Sequence, residues 1–158
     1  MTERLALVTG GASGIGREIC LGLARNGRKV AVADINLAGA QETQAMTTEA
    51  GATALAVQMD VSDSDAVHVG LLEAIDELGP VEVLVNCAGW DELMPFGNTD
   101  ESFWDRVIEI NYKGVLRTVH ACLPSMVDAG WGRIVNIGSD AGRVGSSLEA
   151  VYSGAKGG

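Results

Sequence analysis

Apolar positions fall into short continuous runs that alternate with longer stretches of helical period. The runs are Leu5–Thr9, Lys29–Asp34, Thr53–Met59, Val81–Asn86 and Arg133–Ile137, all rich in Val, Ile, Leu or Ala. Between them, Ile15–Asn26, Leu37–Glu49, Asp63–Leu78, Glu101–Ile110 and the segment from Gly114 read as helices. Val67, Leu71, Leu72 and Ile75 share one face, and Val115, Leu116, Val119, Leu123 and Val127 form a stripe. Gly27, Gly51 and Gly79-Pro80 supply stops, Thr99-Asp100 a start, and a further helix is expected from Leu148 onward. Strands apolar on both faces are strands covered on both faces. Their alternation with helices predicts right-handed βαβ crossovers and a parallel sheet. The expected fold class is therefore α/β, a doubly wound parallel sheet in three α/β/α layers.

No linker or repeat interrupts this pattern, and 158 residues suit a single domain, 1–158, with a substantial core. An apolar share of 47% sets the chain apart from disordered sequences. Acids outnumber bases 21 to 11, a formal net charge of −10, and no basic run exists to displace phosphate counterions. A nucleic-acid partner is excluded on that ground. No window of about 18 apolar residues offers a membrane span. MTERLALVTG lacks the basic segment and apolar core of a secretory signal, so a cytoplasmic protein is expected. Cys20, Cys87 and Cys122 are widely spaced without a CxxC pair, and are expected as reduced thiols that pack as small hydrophobes. His68 and His120 are far apart, and no metal site is expected.

Ligands of such sheets bind at the carboxyl ends of the strands, and the unusual residues lie there. After the first strand comes Thr9-Gly10-Gly11-Ala12-Ser13-Gly14-Ile15-Gly16. With a strand before it and a helix after it, Gly10, Ser13, Gly14, Ile15 and Gly16 are candidates to bring a pyrophosphate against backbone N–H groups. An ordinary βα turn is the alternative. Asp34, at the end of the second strand, can accept hydrogen bonds from both hydroxyls of an adenosine ribose and would repel a 2′-phosphate. Arg17 is the nearest base, placed on the helix flank, so NAD is favoured over NADP. Asp34 can also be read as a cap for the next helix. Asp60 and Val61 end the third strand, positioned for an adenine amino group and ring. Asn86, Ala88 and Gly89 end the fourth, where Gly89 lets the chain pass close to a cofactor.

At Tyr152-Ser153-Gly154-Ala155-Lys156 the pattern becomes specific. TGGASGIG, Asp34, Asp60-Val61, NCAG, Asn111, Ser139 and YSGAK resemble, in order and spacing, the short-chain dehydrogenase/reductase family. The resemblance runs from Leu5 to Gly158. AGWD at 88–91, GRIVNIGSDAGRVGSS at 132–147 and EAVYSGAKGG at 149–158 resemble the 2-hydroxycyclohexanecarboxyl-CoA dehydrogenases, with 3-oxoacyl-thioester reductases as wider relatives. The resemblance implies a Rossmann-type fold lacking the last strands of the family at its C-terminus. Cys87 stands where the family has a second asparagine, and a change in stability rather than in activity is expected from it.

Tyr152 and Lys156 are four apart and share a helix face. An ammonium beside a phenol favours its ionised form, as needed for acid–base work on an alcohol. Ser139 can hydrogen-bond the substrate oxygen, although a turn cap explains a serine there as well. The resemblance implies that Asn111 holds a water in a proton relay, though asparagine is also common at helix breaks. Ser139, Tyr152 and Trp90 are the candidate substrate contacts. Trp90 can equally pack against the mouth of the sheet. Lys156 and Tyr152 are also candidates for the cofactor's nicotinamide ribose. The expected activity is NAD-dependent hydride transfer between nicotinamide and a secondary alcohol or ketone. A hydroxyacyl or alicyclic hydroxyacyl thioester of coenzyme A is the implied substrate. A 3-oxoacyl-carrier-protein reductase, another alcohol, polyol or steroid dehydrogenase, and a noncatalytic nucleotide-binding fragment are the alternatives. The resemblance further implies a homodimer or homotetramer for the full-length protein.

Overall fold

The computed structural model describes residues 3–158. Five strands, β1 (Leu5–Thr9), β2 (Lys29–Asp34), β3 (Ala54–Gln58), β4 (Val81–Asn86) and β5 (Arg133–Asn136), form one sheet in the order β3-β2-β1-β4-β5. Every pairing is parallel. Helices α1 (Gly14–Arg25) and α2 (Leu37–Glu49) cover one face, and α3 (Ser64–Leu78) and α5 (Gly114–Asp128) the other. The α/β/α layering follows from strand side chains that are apolar on both sides. Val8, Val30, Val32 and Val85 pack with Cys20 and Ala40, while Leu5, Leu7, Val57 and Leu84 pack with Val67, Leu71, Cys122 and Met126. The Cys20 and Cys122 thiols belong to these cores, and burial pushes both up to about 12.

The chain order reverses between β1 and β4, which leaves a crevice at their carboxyl ends. Polar side chains fix where the helices over that crevice begin. Asp63 caps α3 by accepting from the Asp65 and Ala66 N–H groups, and Asn36 caps α2 by accepting from Gly39. Asp100 does the same for α4 (Glu101–Ile108), accepting from Phe103.

Several elements differ from the sequence pattern. The helix expected through Ile110 leaves α geometry at Ile108, and a wide π-type turn over Glu109–Lys113 joins α4 to α5 as one rod. Asn111 explains the widening: its Nδ2 donates to the Val107 carbonyl at 3.0 Å, the acceptor that a regular α-turn offers to the backbone N–H of residue 111. The helix expected from Leu148 starts at Ala150 as α7 (Ala150–Gly157), because Leu148 adopts a left-handed φ of 68°. The loop before it contains a short helix, α6 (Ala141–Val144), that periodicity did not reveal.

Candidate functional site

A cavity of about 660 Å³ opens at the ends of β1, β4 and β5, and the glycine turn, Asp34, Ser139, Tyr152 and Lys156 all line it. A second cavity of about 220 Å³ shares Gly10, Asp34, Ala88, Gly89 and Trp90 and extends to Met59, Asp60, Val61 and Arg106. The two together follow the strand ends from β3 to β5.

The glycine turn is shaped by contacts that no side chain would permit. A Cβ on Gly16 would lie 2.0 Å from the Gly10 carbonyl oxygen, and one on Gly10 would lie 2.8 Å from the Ala88 backbone. Ser13 gives α1 no side-chain cap, so the first-turn N–H groups of Gly14, Ile15 and Gly16 lie on the cavity wall without the usual side-chain acceptor. That arrangement suits an anion at a helix N-terminus. Asp34 stands beside it, its Oδ2 accepting from Ala12 N at 3.0 Å and its Oδ1 from Asn36 N at 2.9 Å. The cap of α2 is Asn36 and not Asp34. Arg17 lies on the helix flank as expected. Its guanidinium is engaged by the Thr43 hydroxyl (2.9 Å), the Ala12 carbonyl (2.5 Å) and Glu42 (3.2 Å). These residues fit a dinucleotide: a close backbone cradle, a helix terminus, and a fixed carboxylate beyond it.

At the β3 end of the second cavity, Asp60 Oδ1 accepts from Ser62 N at 2.8 Å and Ser62 Oγ at 2.6 Å, which fixes the turn after β3. Val61 is buried against Gly114, and Arg117 donates to its carbonyl at 3.3 Å. Glu109 holds Arg117 from the other side, and the Lys113 and Arg117 side chains keep the Glu109 carboxyl below the usual glutamate range. Asn86 is placed behind the cavities rather than on their walls. Its amide donates to Asn136 at 2.9 Å and accepts from Thr118 at 2.7 Å. The Asn86 side chain thus braces β4, β5 and α5. Thr9 was not anticipated from the sequence: its hydroxyl accepts from Cys87 N and Ala88 N at 3.2 Å and shapes the chain after β4.

Four segments converge on the other end, around the candidate catalytic residues. Asn111 is buried on the π-type turn and locked to Trp90, donating to its carbonyl at 2.6 Å and accepting from its N–H at 3.3 Å. A Cβ on Gly89 would lie 2.9 Å from Asn111 Oδ1 and 3.6 Å from Lys156 Nζ, so glycine here lets the amide and the ammonium approach each other. Lys156 Nζ donates to the Ile137 carbonyl at 2.9 Å and sits 5.7 Å from the centre of the Tyr152 ring. Burial holds the ammonium below the usual lysine range, with the Cys87 thiol acting in the opposite sense. Burial likewise pushes Cys87 up, countered by Lys156. Cys87 therefore lies on the cavity wall next to the ammonium. Ser139 Oγ accepts from Ala141 N at 3.1 Å, which leaves its O–H to donate elsewhere. The Trp90 ring is fixed edge-on to Phe103 at 5.7 Å, with the Arg106 guanidinium 3.7 Å over its face. Among the described residues no cluster of His, Cys, Asp or Glu suits a metal ion, and no helix is long and apolar enough to cross a membrane.

Residues 4–158 match the short chain dehydrogenase family. A sorbitol dehydrogenase of Cereibacter sphaeroides is 38% identical over 97% of this chain and 59% of its own length. An acetoacetyl-CoA reductase of Allochromatium vinosum is 36% identical over 98% of this chain and 64% of its own. A crystal structure of actinorhodin polyketide ketoreductase with NADPH superimposes with a TM-score of 0.95 at 35% identity, over 99% of this chain and 60% of that one. The chain thus spans about three fifths of the length of these relatives.

Proposed function

From the premise that the chain belongs to the short-chain dehydrogenase/reductase family, we propose that the intact protein interconverts a secondary alcohol and a ketone with a nicotinamide cofactor. The observation that carries this reading is the meeting of Ser139, Tyr152 and Lys156 on one cavity wall with the glycine turn at its other end. A bound nicotinamide supplies the hydride acceptor or donor. Ser139 donates its O–H to the substrate oxygen, and its own position is fixed by the Ala141 N–H. Tyr152 gives its proton to that oxygen in reduction and takes it back in oxidation. Lys156 stabilises the phenolate and is aimed by the Ile137 carbonyl. Asn111, clamped by Trp90, holds the path by which Lys156 exchanges protons with solvent.

NAD in preference to NADP is the cofactor of this reading, supported by the Asp34 carboxylate held beside the glycine turn, which would repel a 2′-phosphate, and by the contacts that already engage Arg17. The ketoreductase relative solved with NADPH makes the two cofactors the direct comparison to run. The substrate class is a hydroxyacyl or alicyclic hydroxyacyl thioester. It is supported by the resemblance in the stretches around Trp90 and Glu149, by the acetoacetyl-CoA reductase relative, and by the exposed apolar rim of Leu93, Phe96, Val144 and Leu148. Leu116, Leu123 and Val127, exposed on α5, support a homo-oligomeric intact protein. Tyr152→Phe in the intact protein is the test. Turnover should fall at least about 100-fold, while NADH affinity by fluorescence titration stays within about threefold. Retained turnover would remove Tyr152 from the mechanism.

A further inference from the structure

The loop after β4 meets the candidate catalytic residues at Gly89, where a side chain would press on Asn111 Oδ1. A glycine leaves the backbone free to turn, yet the next residue, Trp90, holds Asn111 with both of its backbone groups. The Asn111 amide is fully engaged: its Nδ2 donates to the Trp90 carbonyl at 2.6 Å and to the Val107 carbonyl at 3.0 Å, and its Oδ1 accepts from Trp90 N at 3.3 Å. The N–H and the C=O of one residue belong to two successive peptide planes. Both bonds persist only while φ and ψ of Trp90 are fixed.

The indole supplies that fixity. Phe103 meets it edge-on with ring centres 5.7 Å apart, and the Arg106 Cζ lies 3.7 Å from the ring centre. Phe103 and Arg106 are three apart on α4 and share a face, and the same rod carries Asn111 on its π-type turn. Trp90 is therefore tied to this rod twice, by its ring and by its backbone. Among the described residues Arg106 forms no ion pair, whereas Lys113 and Arg117 further along the rod both pair with Glu109. No carboxylate draws the Arg106 charge away from the ring.

We propose that the Phe103–Trp90–Arg106 stack positions Asn111: the ring, clamped on α4, fixes the Trp90 backbone, and that backbone fixes the amide beside Gly89 and Lys156. These three are positioning residues that act through Asn111. The consequence for turnover rests on the alcohol–ketone reading, in which Asn111 holds the proton path of Lys156. The positioning does not depend on it.

Solvent exchange of the Asn111 side-chain amide protons, followed by nitrogen-edited NMR on the intact protein with NADH added, reads the clamp without turnover. Trp90→Leu removes both ring contacts and should speed that exchange about tenfold, with the backbone amides of β1 and β4 unaffected. Arg106→Ala removes only the cation, for a factor of about two to five. Arg106→Lys, which keeps a cation over the ring, should restore slow exchange. With acetoacetyl-CoA as the probe substrate, kcat should fall in the same order while KM stays within about twofold. Unchanged Asn111 exchange in Trp90→Leu and Arg106→Ala overturns the assignment. So does acceleration shared by the strand amides, which is loss of the fold, or a rise in KM at constant kcat, which is lost substrate contact. An Asn111→Ala protein with full kcat would instead break the proton-path reading, and the exchange rates would still decide the positioning.

Discussion

Every residue of β1 is buried and every residue of β5 is exposed, although both strands flank β4 in the same parallel sheet. The same contrast separates the two ends of the site. On the β1 side, the turn is defined by backbone packed on backbone, with Gly10 against Ala88 and Gly16 against Gly10. On the β5 side, the chemistry depends on side chains from four separate segments, held by single hydrogen bonds such as Lys156 to Ile137 and Asn111 to Trp90. The first arrangement cannot adjust by rotating a side chain. The second can. Close backbone packing fixes one end of the candidate site, and adaptable side chains form the other.

The hardest blow to the β1 side is Gly16→Ala. The new methyl group would meet the Gly10 carbonyl at 2.0 Å with no flexible partner to move, so a loss of more than about 3 kcal/mol is expected. Thermal denaturation and NADH titration would register it together, and a stable variant with normal NADH affinity would refute the cradle. Next in size is a matched pair of truncations. Val32 is 0% exposed, and Val32→Ala should cost about 2 kcal/mol. Val135 is 48% exposed, and Val135→Ala should stay within about 0.5 kcal/mol. Chemical denaturation of the two variants side by side measures the contrast directly, and equal losses would erase it. The smallest effect is confined to the cofactor. Asp34→Ala should weaken NAD by about tenfold, as expected for a lost charged hydrogen bond, and change NADP by less than about threefold. An unmodified protein that already binds NADP more tightly would overturn the ribose argument.

The strands were legible because a doubly covered strand has to be apolar on both faces, and β1, β2 and β4 run over the residues that the pattern marks. The glycine turn was legible for a related reason: its function is local, and a strand, a turn and a helix terminus lie consecutively in the chain. Helix ends were less so. Asn111 diverts the helix into a π-type turn through its own amide, and Leu148 delays α7 through its φ, neither of which leaves a periodic trace. Asn86 read as a cofactor contact because it ends a strand beside Ala88 and Gly89. Its side-chain partners Asn136 and Thr118, distant in sequence, left no trace in that pattern.

By itself the sequence determined the parallel sheet, its two helical layers, the glycine turn and the acid that stands beside it. Each of these depends on residues that are neighbours in the chain or on a period that repeats along it. Only the tertiary structure decided that Asn111 faces Gly89 and Lys156, and that Arg17 is engaged by Thr43 and the Ala12 carbonyl. Those are meetings between segments far apart in the chain, and their geometry is set by how the helices and loops pack around β4 and β5.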